Sequence, residues 1–118
     1  TAQLNTFHYS VIDQIPGVDK QTAMDNFPAM RVALQSGTID AYVSELPEAI
    51  SAQAANSDFV MVKLTDGFKT SPEDTQTAVG VKKDSPLTKQ INEALKTISS
   101  EERQQIMQEA IKNQPAAE

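Results

Sequence analysis

Apolar positions fall in short bursts separated by turn-forming residues, and the spacing within each burst predicts helices alternating with extended segments. Thr1 to Leu4 reads as the tail of an extended segment. Asn5-Thr6 is a capping pair before a short helix that carries Phe7, Tyr9, Val11, Ile12 and Ile15 and is closed by Pro16-Gly17. A mixed run from Gln21 to Met24 leads to a second capping pair, Asp25-Asn26, with Pro28 in the first helical turn. Phe27, Met30, Ala33 and Leu34 then recur at helical spacing until Ser36-Gly37 stops the helix. Ala41 to Ser44 follows as a strand, Pro47 to Asn56 as an Ala-rich helix, and Phe59 to Leu64, apolar except for Lys63, as a strand covered on both faces.

Up to this point the alternation favours parallel strands joined by right-handed crossovers in a three-layer α/β unit. Thr65 to Gln76, with Asp66-Gly67, Ser71-Pro72 and little apolar content, reads as a surface loop. Thr77 to Val81 is a further strand candidate. Asp84-Ser85-Pro86 opens a helix whose Leu87, Ile91, Leu95 and Ile98 make a single apolar stripe. Ser99 with Glu102 forms a capping box for a last helix carrying Ile106, Met107, Ala110 and Ile111, and Pro115 onward reads as a frayed end. No internal repeat or low-complexity segment interrupts the chain.

Composition fits one ordinary soluble domain with a real core: 118 residues, 39% hydrophobic and 22% charged. Cysteine is absent, which removes disulfides, a thiolate nucleophile and a cysteine zinc site. A net charge of −6 and a pI near 4.7 argue against nucleic acid as partner, because a phosphate backbone is bound by clustered Lys and Arg. No apolar run approaches the ~20 residues that span a bilayer, and no signal segment opens the chain, so any targeting sequence is expected to have been removed or omitted. No cofactor motif is present.

Glu45 stands where the predicted strand ends and Pro47 opens a helix. In open α/β sheets ligands bind outside such C-terminal strand edges. Its plain alternative is an acid at a helix start, worth ~0.3 to 1 kcal/mol. Asp40 and Glu45 do not make a catalytic pair: along a strand they stand ~16 Å apart, against ~5 to 9.5 Å in glycosidases. Asp40 is most simply a turn residue. Asn5-Thr6-Phe7 would present free N–H groups at a helix start, a ready anion site; equally, Thr6 serves as a simple N-cap worth ~1 kcal/mol. An anion site together with Glu45 would suit a zwitterion. His8, the single histidine, lies beside two aromatics and reads as structural or exposed, with no metal site or triad to join. Met24, Met30, Met61 and Met107 read as core filler, and Lys82-Lys83 beside Asp84 as a solvated turn.

With these residues in hand, the chain resembles the C-terminal half of the amino-acid substrate-binding proteins of ABC importers, a two-lobed clamp family. Gln3-Leu4-Asn5-Thr6-Phe7 resembles the family's Gln-x-Gly-Thr-Thr loop. Leu34 to Pro47 resembles its Leu-x-x-Gly-x-x-Asp-Ala-x-x-x-Asp-x-Pro motif, and Ala78 to Leu87 the stretch that returns across the hinge. The resemblance implies one lobe of a periplasmic-binding-protein-like fold, a mostly parallel sheet flanked by helices, over residues 1–76 with its first strand truncated. Residues 77–118 would supply the hinge-return strand and two C-terminal helices that pack on a first lobe preceding Thr1. That lobe would carry the Arg that clamps the ligand carboxylate.

By the same resemblance, Thr6 and the N–H of Phe7 hold the ligand's α-carboxylate and Glu45 takes its α-ammonium, while Gln3 and Ser44 fall where some members touch the ligand side chain. Asn5 stands where the family has Gly, a departure tolerable because Asn also visits left-handed backbone. Glu45 in place of Asp lengthens the acidic arm by a methylene.

The implied function is an extracytoplasmic receptor, periplasmic or anchored at the cell surface, that passes a free amino acid to a membrane permease and catalyses nothing itself. A dehydratase-type enzyme on the same scaffold would have only Glu45 and His8 for acid-base work, and a sensor domain would share the pocket. Leu87, Ile91, Leu95, Ile98, Ile106, Met107 and Ile111 together represent on the order of 10 to 20 kcal/mol of burial. They are therefore expected to pack back on the lobe, or on a second copy of the chain by exchange.

Overall fold

Side-chain caps at Asn26 and Ser99 open two of the helices. In the computed structural model, which describes residues 1–113, α1 spans Phe7–Val11 and tightens into a 3-10 turn over Ile12–Gln14. The second helix, α2 (Phe27–Gln35), starts where the Asn26 side chain accepts a hydrogen bond from the N–H of Ala29 at 2.9 Å. It ends at Gly37, whose φ of 73° suits a residue without a Cβ and whose N–H returns to the Leu34 carbonyl at 3.1 Å. Next come α3 (Leu46–Ala55) and a single turn, α4 (Pro72–Thr75), inside the stretch read as loop. Two longer helices close the described chain, α5 (Leu87–Lys96) and α6 (Ser100–Lys112). Pro115 and the residues after it, read from the sequence as a frayed end, lie outside the described residues.

The expected sheet does not form. Helix accounts for 48% of the structure and, among the described residues, no strand is present, so the chain is a helical fold and not a mostly parallel α/β lobe. What remains of the pairing is two isolated parallel bridges, Ala2 with Val43 and Gln3 with Met24. The backbone bonds that hold them run from Leu4 N–H to Met24 O (2.8 Å), Met24 N–H to Ala2 O (3.0 Å) and Val43 N–H to Thr1 O (2.9 Å). Both ladders are cut short by the turns that follow them. Asn5 takes a left-handed φ of 61°, and Glu45 passes directly into α3.

The other two strand candidates are unpaired, irregular chain. Residues 60–64 and 77–81 make no backbone hydrogen bond among the described residues. Phe59 and Met61 are half-buried, whereas Val60 and Val62, on the alternate face, are 81% and 75% exposed. A strand covered on both faces needs a neighbour on each side, and this segment has one.

The chain divides into two units, Thr1–Thr75 and Gln76–Glu118. In the first, Ala2, Val11, Ile12, Met30, Ala33, Ile39 and Ala52 are buried and gather α1, α2, α3 and the bridged segments around one small core. A polar clamp ties α2 to α3. Arg31 donates to both carboxylate oxygens of Glu48, at 2.9 and 2.8 Å, and the Tyr42 hydroxyl donates to the same carboxylate at 3.3 Å. The clamp holds the Arg31 guanidinium above its ordinary pKa, through the hydrogen bonds to Glu48.

In the second unit, Ser99 caps α6 by accepting the Glu102 N–H at 3.1 Å. Arg103 reaches back to the Leu95 and Ile98 carbonyls, at 2.6 and 3.2 Å, and so satisfies acceptors at the end of α5. No residue of α5 or α6 is buried, and Leu87 and Leu95 of the apolar stripe are 51% and 37% exposed.

Candidate functional site

The parallel bridge of Ala2 with Val43 makes residues 1–4 and 41–44 leave at the same edge. The turn at Asn5 and the first residue of the path into α3 are thereby neighbours, although forty positions separate them in the chain. Asn5 bends the backbone with its positive φ, and Thr6 then adopts the extended conformation of an N-cap, φ −114° and ψ 154°. The Thr6 hydroxyl does not cap α1; it donates to the Gln3 carbonyl at 2.7 Å and braces the turn. The N–H groups of Phe7 and His8, first in the helix and without intrahelical acceptors, meet no acceptor among the described residues.

Glu45 occupies the N-cap of α3, yet its side chain makes no capping bond. Its carboxylate instead extends to the start of α1, with Oε2 at 3.6 Å from Nε2 of His8. The imidazole is packed away, at 14% exposure, with its ring centroid 4.1 Å from that of Phe7, while Glu45 remains 48% exposed. Burial lowers the His8 pKa below its ordinary 6.5, only partly offset by the charge of Glu45. At neutral pH, then, an uncharged ring stands beside an uncompensated, half-exposed carboxylate.

Of the other residues singled out from sequence, Gln3 lies in the bridged segment, and its amide donates to the Asp25 carbonyl at 3.1 Å. Ser44 donates to the Glu45 carbonyl at 3.2 Å and faces a different cavity. That cavity is an apolar cleft of about 780 Å³, walled by residues 41–44, by Leu46, Ala49 and Ala52 of α3, and by Phe59 to Leu64. Asp40 lines it too. None of Gln3, Thr6, Phe7, His8 or Glu45 does. The structure thus brings Glu45 to His8, which follows Thr6 and Phe7 at the start of α1, ties Gln3 to Asp25, and puts Ser44 in the cleft.

His8, read from the sequence as structural or exposed and outside the ligand-contacting set, is the residue that the structure sets beside Glu45. It is the second residue of α1, two positions after the N-cap Thr6. Among the described residues no three His, Asp or Glu side chains are arranged to hold a metal ion, and no helix is long and apolar enough to cross a membrane. Compared with protein-family models, curated proteins and solved structures, the chain matches none.

Proposed function

We propose that this chain supplies one side of the binding site of an extracytoplasmic receptor that captures a free amino acid and hands it to the permease of an ABC importer. One observation carries the reading: an acid whose carboxylate is not spent on its own helix meets, at the same edge, a turn that opens a helix with free N–H groups. Glu45 takes the α-ammonium, and the Phe7 N–H donates to the α-carboxylate. Such charge-assisted bonds are the stronger class of hydrogen bond. Thr6 acts mainly on the turn, because its proton is committed to the Gln3 carbonyl; contact with the ligand requires the hydroxyl to rotate. The reading is one of binding without chemistry, with neither cofactor nor metal.

The test is titration calorimetry of a panel of free amino acids against the full-length protein and its Glu45→Gln variant, with thermal melts to show that both are folded. Removing the charge leaves a ligand ammonium buried without its counter-charge, at a cost of about 3 kcal/mol, or roughly a hundredfold in affinity. Affinities that agree within about threefold would falsify the assignment.

A further inference from the structure

We propose that His8 is a further residue of this site and that its protonated ring competes with the ligand's ammonium for Glu45, so that acidification releases the ligand. The inference rests on the reading of Glu45 as the ammonium acceptor. Its geometry is independent of that reading. Nε2 of His8 lies 3.6 Å from Oε2 of Glu45, close enough that a proton on this nitrogen gives an ion pair, and too long for a hydrogen bond while the ring is neutral.

Of the other charged side chains near this pair, Asp13, Lys20 and Glu48 are paired elsewhere, while Asp25 and Asp40 make no ion pair among the described residues. On the turn after α1, Asp13 is paired with Lys20 at 2.9 Å, and Lys20 lies 4.3 Å over the Tyr9 ring. Residues 1–4 carry no charged side chain, and the Thr1 amino group donates to the Ala41 carbonyl at 3.0 Å. Asp40 lines the separate cleft, and Glu48 on α3 is held by Arg31 at 2.8 Å. Glu45 therefore has two prospective cations, an imidazolium from within the chain and an ammonium from the ligand. The two cations repel each other and share one negative charge, so each weakens the other, and linkage makes the effect reciprocal: a bound ammonium must lower the His8 pKa by the factor that protonation weakens ammonium binding.

Because the chain has one histidine, its ring signal titrates alone in an NMR experiment. The experiment follows that titration with sodium chloride and with methylammonium chloride at equal ionic strength, in the wild type and in Glu45→Gln. Methylammonium lowers the His8 pKa of the wild type and leaves that of Glu45→Gln unmoved, and Glu45→Gln in sodium chloride titrates below the wild type. Each full unit of the methylammonium shift corresponds to tenfold weaker cation binding with His8 protonated.

No methylammonium effect in the wild type, or an equal effect in the variant, overturns the proposal. A ring that was merely structural would titrate identically in both salts. Methylammonium has no carboxylate, so the two readings fail separately. A shift in this experiment with no amino acid bound in calorimetry sinks the receptor and leaves the competition standing. Amino-acid binding without the shift does the reverse.

Discussion

Arg31 shows what one planar fork contributes in this chain. Its guanidinium meets Glu48 edge to edge across two helices, and the Glu48 side chain is only 10% exposed. Arg31→Ala would leave that carboxylate with the Tyr42 hydroxyl as its remaining donor among the described residues, a loss of about 2 to 3 kcal/mol given the partial solvent access of Arg31. Urea denaturation reads this directly. Arg31→Lys recovers only part of the loss, because an ammonium cannot span both carboxylate oxygens; full recovery would show that charge alone, not the fork, is what matters. Nothing in the local sequence marks Arg31, flanked by Met30 and Val32, as the partner of a residue seventeen positions on. That pairing belongs to the packing of α2 on α3.

At the scale of elements, the local signals and the non-local ones separate cleanly. Asn26 with Pro28 starts α2, Gly37 stops it, and Ser99 caps α6; each is chemistry within a few residues, and each was legible in the sequence. The segments at 41–44, 59–64 and 77–81 have equally good strand composition, but a strand exists only where another backbone lies alongside, and composition does not say where that is. The site was legible in part for the same reason: Asn5 to Phe7 and Glu45 were read from their own neighbours, whereas the His8–Glu45 approach is created by the bridge between distant segments. The helices of the second unit are legible yet hold no fully buried residue, and at ten and thirteen residues they are too short to be stable on propensity alone. A peptide of residues 76–118 is accordingly expected to show little helix by circular dichroism at 25 °C. A strongly helical spectrum with a cooperative melt would contradict that.

For the molecule as a whole, charge and burial are both lopsided. Thr1–Thr75 holds four Lys or Arg against ten Asp or Glu, and the rest of the chain six against six, so the entire net charge of −6 belongs to the first unit. Among the described residues the buried side chains belong to it as well. Hydrogen exchange is expected to find its slowest amides at Val11, Ile12, Met30 and Ala33, with those of α5 and α6 exchanging orders of magnitude faster. Comparable protection in α6 would mean that its stripe is covered in solution.

The bare face of residues 59–64 carries a hazard as well as an opening. Phe-Val-Met-Val-Lys-Leu is hydrophobic, free of proline and glycine, and without backbone hydrogen bonds from Val60 on, which is the profile of a segment that stacks with its own kind into fibrils. Lys63 is the one charge that interrupts it, a gatekeeper whose neutralisation would leave nothing to keep neighbouring copies from zipping together.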